Sequence, residues 1–228
     1  MAGYLDDATL FTRLRTANAA DWQAYVAHDF VAGLAAGSLP EASFRRYLGQ
    51  DYLFLIHFAR AYALAVFKAD NLDDMYAAAG GMSAILDTEM ALHVDYCRGW
   101  GLDASAMAAL PEATATMAYT RYVLEAGLQG DLLDLYVALA PCVLGYGEIG
   151  VRLAADPMTA RAGNRYAAWI DMYAGDAYQA VAQAHGATLD RLWTARAGNS
   201  RFDGLSRIFG QAIRLEADFW QMGLDASA

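Results

Sequence analysis

Cysteine and proline are both scarce in this chain, which has two cysteines and four prolines among 228 residues. The two cysteines, Cys97 and Cys142, are too few for the disulfide framework of a small secreted protein, so we expect a reducing, cytoplasmic compartment. No stretch rich in proline, serine and glycine divides the sequence. We therefore expect one continuous domain over residues 1–228.

Basic residues are outnumbered, with 16 lysines and arginines against 26 aspartates and glutamates and a net charge of −10. This balance argues against a nucleic-acid partner, which needs clustered basic residues, and against an anionic membrane surface. The first residues lack a basic segment followed by an apolar run, so we expect no secretory signal. Charges or glycines interrupt the apolar runs before the roughly 18 residues of a membrane span, so we expect no transmembrane helix.

Strand patterns are also missing, since no run of alternating polarity rich in valine, isoleucine and threonine occurs. Alanine and leucine dominate instead, and both favour helices. Apolar residues make up 57% of the chain, enough for a large core. The periodicity predicts helices over about 40–70, 71–96 (weakened at Gly80-Gly81), 110–128, 131 to beyond 142, 164–185 and 205–222. The sequence therefore predicts an all-α bundle of about seven or more helices.

Common metal-binding motifs are absent, and the one dinucleotide-binding pattern lacks the preceding strand that such a motif needs. The chain has no CxxC, HExxH or ExxH, and Glu89 and His93, four residues apart, indicate a polar or hydrogen-bonded pair more than a metal site. The segment GYGEIG matches GxGxxG at Gly145, Gly147 and Gly150, but no strand precedes it. We expect no metal and no other cofactor, and we interpret these glycines as points of close approach.

Two carboxyl groups lie on apolar helix faces. Asp51 shares a face with Tyr47, Leu55 and Phe58, and Glu216 lies in the similar segment RIFGQAIRLEADFWQM. A buried carboxylate is unfavourable without a partner, so each is either a structural hydrogen-bond acceptor or part of a site.

Cys142 follows Pro141, and a proline within a helix disturbs its hydrogen bonding. A free cysteine is more often a small buried apolar residue than a nucleophile. Fourteen tyrosines, many of them in apolar runs, need partners for their hydroxyls when buried. Two acids, a cysteine and several tyrosines around one cavity would suit a flat, nitrogen-rich ring, although the residues alone do not show that they converge.

Several segments taken together resemble the TenA/thiaminase II family of aminopyrimidine aminohydrolases. They occur in one order along nearly the whole chain, and Tyr119 and Cys142 are separated by the spacing typical of the family. The segments are HDFVAGLAAGSLPEASFRRYLGQDYLFLIHFA (28–59), DTEMALH (87–93), AYTRYVLEAGLQGDLLDLYVALAPCVLGYGEIG (118–150), WIDMYAGDAY (169–178) and EADFW (216–220).

The resemblance implies an all-α, haem-oxygenase-like fold, a homotetramer and a small pyrimidine substrate. It also implies that Cys142 is the catalytic nucleophile, that Glu216 is the catalytic acid, and that Asp51 binds the amino group and ring nitrogen of the pyrimidine. A free thiol has a pKa near ~8.5, so we expect Cys142 to be activated locally. We expect the apolar setting of Glu216 to raise its pKa toward neutral.

The remaining pocket residues follow from the same resemblance. Tyr119, Tyr146 and Tyr173 match the tyrosines that orient the ring and the nucleophile. Phe54 lies where the family often has tyrosine, which keeps ring stacking but loses a hydroxyl.

The implied activity is hydrolysis of 4-amino-5-aminomethyl-2-methylpyrimidine, a thiamin breakdown product, with thiamin as a slower substrate. Two alternatives stay open. A regulatory protein of the same fold would need a partner, and the net charge of −10 speaks against DNA. A non-catalytic pyrimidine or thiamin carrier would keep Asp51 and the tyrosines but have no use for Cys142 or Glu216.

Overall fold

The computed structural model describes residues 3–101, 103–196 and 199–227, and their regular secondary structure is helical, without a strand. Short 3₁₀ turns occur at Gly3–Leu5, Asn199–Arg201 and Asp225–Ser227. A π-helical turn, Ala84–Glu89, lies between two α-helices. The α-helices in these ranges are α1 (Leu10–Ala17), α2 (Ala19–Val26), α3 (Asp29–Ala36), α4 (Glu41–Lys68), α5 (Leu72–Ser83), α6 (Met90–Arg98), α7 (Ala104–Ala108), α8 (Thr114–Gln129), α9 (Leu132–Ala155), α10 (Ala167–Ala174), α11 (Asp176–Arg196) and α12 (Phe202–Leu224).

Side-chain caps define several helix starts, because a cap satisfies backbone N–H groups that lack an intrahelical partner. Asn71 accepts from the backbone N–H of Asp74 at the start of α5. Asp131 and Asp134 form a reciprocal capping box at the start of α9. At the other end of a helix, α3 stops at Gly37, whose φ of 69° lies in the left-handed region that favours glycine.

The observed helices confirm most of the predicted ones and correct three features. The helix predicted from residue 71 is not weakened at Gly80-Gly81, which lie within α5, and the irregular turn comes just after them at Ala84–Glu89. The helix predicted over 164–185 is divided at Gly175 into α10 and α11. Three further helices precede α4, where the sequence analysis predicted none.

Helix α9 forms the centre of the bundle and packs against α8, α10, α11 and α12. By length and composition it could cross a membrane, which the sequence analysis did not expect, but 83% of its most apolar window is buried inside the protein. Core helices have this character, so α9 is weak evidence for a span.

Trp220 on α12 lies within a cluster of aromatic rings from other helices. Its ring stacks on Phe30 at 4.9 Å between centroids and lies 5.2 Å from Tyr47 and 5.1 Å from Tyr146. Tyr25 stacks on it at 6.2 Å. Aromatic contacts of this kind add to the free energy gained by burial, and here they fix α12 against α2, α3, α4 and α9.

Two glycines of GYGEIG allow close approach, as predicted. A Cβ at Gly145 would lie 2.5 Å from the ring of Tyr25, and one at Gly150 would lie 2.5 Å from the carbonyl carbon of Tyr173. The motif lies inside α9 and follows no strand in the described residues, so it has no dinucleotide-binding context.

Gly150→Ala should destabilise the protein by roughly 1–3 kcal/mol, because the new methyl group meets the backbone of α10, which has little freedom to move. Gly80→Ala is the matched control. It lies in helix α5 with nothing within 4 Å of the new methyl group, and it should be neutral or stabilising by up to about 1 kcal/mol. Urea unfolding of the three proteins tests this, and equal midpoints for Gly150→Ala and the wild type would contradict it.

Candidate functional site

Five helices bring the predicted site residues into one region of the interior. Asp51 and Phe54 come from α4, Tyr119 from α8, Cys142 and Tyr146 from α9, Tyr173 from α10, and Glu216 from α12. All are buried except Cys142, which is partly exposed. The predicted residues therefore lie in one region, although they are up to 165 positions apart in the sequence.

A cavity of about 380 Å³ opens beside this cluster. Cys142 and Glu89 contribute to its wall, and aromatic rings of Phe58, Tyr62 and Tyr178 line it too. The other predicted residues are buried and do not line the cavity. A site of this size and apolar character suits a small organic ligand.

Glu216 is held by Tyr119, whose hydroxyl donates a hydrogen bond of 2.9 Å to Glu216 Oε1. Burial raises the pKa of Glu216 well above its ordinary value, the Tyr119 hydrogen bond opposes this, and the charge of Asp51 adds to it. The direction agrees with the expectation from sequence. This shift favours the protonated form of Glu216 more than is usual for a glutamate, which suits a proton donor.

The thiol of Cys142 differs from the expectation. Burial raises its pKa well above the ordinary value, and the nearby carboxyl groups of Glu216, Glu89 and Asp51 raise it further. The surroundings therefore favour the thiol over the thiolate at neutral pH. Attack by this sulfur requires its proton to leave as the new bond forms.

Asp51 forms a buried ion pair with His93, with 2.6 Å between Oδ2 and Nε2. The other ring nitrogen, Nδ1, lies 2.8 Å from the backbone carbonyl oxygen of Glu89. Burial lowers the pKa of His93, but Asp51 and the hydrogen bonds outweigh it, and the net direction is upward. Because both neighbours are acceptors, the ring donates from both nitrogens as an imidazolium.

Glu89 lies on the cavity wall with Cys142, and the sequence analysis did not place it among the site residues. Its pKa is raised to about 7 by burial, which His93 opposes and Asp51 reinforces. Tyr173 donates to Glu89 Oε1 over 3.3 Å. The four-residue spacing of Glu89 and His93 was the sequence pattern that pointed to Glu89. In the structure, however, the His93 side chain pairs with Asp51 and not with the Glu89 side chain. Among the described residues, no three or more histidine, cysteine, aspartate or glutamate side chains are arranged so that they could hold a metal ion.

The predicted aromatic residues belong to two groups of contacting rings. Phe54 lies 5.1 Å from Phe58 and 5.0 Å from Tyr119 between ring centroids. Tyr146 lies 4.9 Å from Tyr173 and 6.0 Å from Trp169. These contacts leave the rings little freedom, so the walls around the acids are rigid.

The sequence matches the TENA/THI-4/PQQC family over residues 17–226. It is 37% identical over 201 residues to an aminopyrimidine aminohydrolase of Halalkalibacterium halodurans, covering 88% of this chain and 89% of the relative. It is also 43% identical over 207 residues to an uncharacterized protein of Haemophilus influenzae, covering 90% and 94%.

Solved structures agree on the fold. The crystal structure of a TenA family transcription regulator from Silicibacter sp. TM1040 has a TM-score of 0.89 and 47% identity, covering 94% of this chain and 96% of that one. A TenA homologue from P. horikoshii OT3 has a TM-score of 0.83 at 23% identity, covering 96% and 100%. The expected all-α, haem-oxygenase-like fold is confirmed.

The raised pKa of Cys142 predicts slow alkylation by iodoacetamide at neutral pH, accelerating only above the pKa of an ordinary thiol, roughly 8.5. Glu216→Gln removes one carboxyl group that opposes the thiolate and should shift this profile to lower pH. Peptide mass spectrometry after timed labelling distinguishes the two cysteines, and the fully buried Cys97 serves as the unreactive internal control. Fast alkylation of Cys142 at neutral pH in the wild type would contradict the prediction.

Proposed function

This chain belongs to the TENA/THI-4/PQQC family, and on that premise we propose that it is an aminopyrimidine aminohydrolase that hydrolyses a carbon–nitrogen bond. The proposed substrate is 4-amino-5-aminomethyl-2-methylpyrimidine, with thiamin as a slower one. The products are 4-amino-5-hydroxymethyl-2-methylpyrimidine and ammonia, which places the reaction in thiamin salvage. A relative at 37% identity that carries this enzyme name supports the reaction class.

The observation that carries the proposal is the convergence of one thiol and two buried carboxyl groups beside a cavity. Cys142 lies on the cavity wall, and Glu216 and Asp51 are close enough to raise the pKa of its thiol. A regulatory or carrier protein has no need for a thiol and a protonated acid at one place, whereas nucleophilic catalysis requires both.

In the proposed mechanism, the sulfur of Cys142 adds to the ring carbon next to N1 of the pyrimidine. Glu216 gives its proton to N1 and receives the thiol proton, so that the ring becomes electron-rich without a free thiolate. This coupling suits two groups whose pKa values are both raised, because neither has to ionise in advance. Tyr119 keeps the Glu216 carboxyl group in place.

Asp51 has a different role in the proposal. As a carboxylate it would accept hydrogen bonds from the exocyclic amino group of the ring, and so distinguish an aminopyrimidine from its oxo analogue. His93 supports this role, because it forms a buried ion pair with Asp51 over 2.6 Å and holds that side chain in place.

The electron-rich adduct then expels the amine from the exocyclic carbon, which leaves a methylene group conjugated with the ring. Water adds to this methylene carbon, N1 loses its proton and the sulfur departs. One difficult displacement is thereby divided into an addition and an elimination, each with a lower barrier.

We also propose that the protein is a cytoplasmic homotetramer. Phe67, Leu72 and Tyr76, around the junction of α4 and α5, are large apolar side chains that are more than half exposed. Such exposed apolar groups are typical of surfaces that associate. The described cysteines are both free, which suits a reducing compartment.

Cys142→Ala should abolish ammonia release from the aminomethyl pyrimidine, and Glu216→Gln should slow it by roughly 10²–10⁴-fold, because each removes a group that acts in the transition state. The measurement is ammonia release by purified protein under saturating substrate. A Cys142→Ala variant with nearly the wild-type rate would sink the mechanism, and wild-type binding of the pyrimidine without turnover would favour the carrier or regulatory alternative.

Asp51→Asn should act mainly on binding and raise KM by roughly 10–100-fold, because it removes one charge-assisted hydrogen bond. Initial rates at several substrate concentrations separate KM from kcat. A variant in which kcat alone falls would show that Asp51 does not act in recognition.

A further inference from the structure

Glu89 is a carboxyl group on the cavity wall that the mechanism above leaves unused. It lies at the end of the π-helical turn between α5 and α6, on the same cavity as Cys142. π-Helical turns inside helices frequently mark functional sites. The other carboxyl groups of this wall, Asp171 and Asp176, are exposed, and Asp171 forms an ion pair with Arg161.

The proposed reaction moves protons at two separate places. Glu216 exchanges a proton with the ring nitrogen N1, which is protonated when the sulfur adds and deprotonated when the sulfur leaves. The exocyclic carbon needs its own group, because an amine departs there as neutral ammonia and a water must then lose a proton to add. A general acid or base must lie within hydrogen-bond distance of the atom it serves, so one carboxyl group does not transfer protons at both N1 and the exocyclic carbon.

We propose that Glu89 is the catalytic acid–base for the exocyclic carbon: it shares a proton with the departing amine and then takes a proton from the attacking water. This inference rests on the proposed function. It assigns a second acid to the site, on the same cavity wall as the nucleophile and separate from the Tyr119–Glu216 pair.

The proton balance closes over one cycle. In the complex, Glu89 and the substrate amine hold one proton between them, and that proton is on nitrogen when the carbon–nitrogen bond breaks. The bonding pair leaves with nitrogen as ammonia, and Glu89 remains as a carboxylate. Water then forms the carbon–oxygen bond and gives one proton to Glu89, which restores the starting state.

The surroundings of Glu89 suit a group that both shares and accepts a proton. Tyr173 donates to Oε1 of the Glu89 carboxyl group, and His93 contacts the backbone carbonyl of the same residue, so one contact holds the side chain and the other holds its backbone. A pKa of about 7 lets either form be reached near neutral pH. The titratable groups that act on it or respond to it are His93 on α6, Asp51 and Tyr62 on α4, Cys142 on α9, Tyr173 on α10 and Tyr178 on α11.

The direction in which kcat/KM changes with pH follows from the single proton that Glu89 and the substrate amine share. Below about pH 7 both Glu89 and the amine are protonated, and no carboxylate is available. Above that pH the pair holds one proton, up to the higher pKa of an alkylamine, roughly 10. Wild-type kcat/KM for the aminomethyl pyrimidine should therefore rise through about pH 7.

Glu89→Gln tests the inference because it keeps the shape and removes the titration. We expect kcat to fall by roughly 10²–10⁴-fold and the rise of kcat/KM near neutral pH to disappear. Binding of the hydroxymethyl product should change by less than about threefold, since the ring is held elsewhere. Glu125→Gln, the same change at an exposed glutamate of α8 that does not line the cavity, is the matched control and should keep both the rate and the profile.

Glu89→Asp keeps a titratable carboxyl group that is one methylene shorter, and it covers the case in which Glu89→Gln does not fold. It should retain the rise near neutral pH at a reduced kcat. An active wild type whose Glu89→Gln variant stays within about threefold in kcat, or keeps the rise, would overturn the role of Glu89 and leave the proposed function standing. A wild type that releases no ammonia overturns both.

Discussion

The candidate site brings three carboxyl groups and one thiol together in apolar surroundings. The site depends on keeping the number of unpaired negative charges among these groups low. An unpaired carboxylate in such surroundings is strongly unfavourable. Asp51 is matched by the imidazolium of His93, whereas the raised pKa values of Glu89, Glu216 and Cys142 favour their protonated forms. The site therefore contains one ion pair and several groups that can carry a proton. Proton transfer during a reaction requires groups of this second kind.

The rings around this cluster explain why the acids keep their positions. Trp220 contacts rings from α2, α3, α4 and α9, so α12 cannot shift without disturbing several helices. Glu216 lies one turn before Trp220 on the same helix, so the contacts that hold Trp220 also hold the backbone of Glu216 in place. Tyr119 in turn is fixed against Phe54 and donates to Glu216. Stability and site geometry thus rest on the same aromatic contacts.

Some of the site could be predicted because a charged side chain on an apolar helix face is conspicuous. Asp51 and Glu216 stood out for this reason, and both are buried with hydrogen-bond partners. The spacing of Glu89 and His93 suggested that their side chains pair with each other, yet their side-chain partners lie on other helices, α10 and α4. The π-helical turn that precedes α6 has no signature in the sequence that distinguishes it from a regular helix.

The sequence by itself determined the helical class, most of the long helices, the absence of a dinucleotide motif in its proper context and the family resemblance. These properties follow from local periodicity and from the order of motifs along the chain. Only the tertiary structure decided which acid pairs with which base, which groups line the cavity and whether the thiol is activated. The reason is electrostatic: the pKa of Cys142 depends on burial and on carboxyl groups from three other segments, and no local pattern encodes those distances.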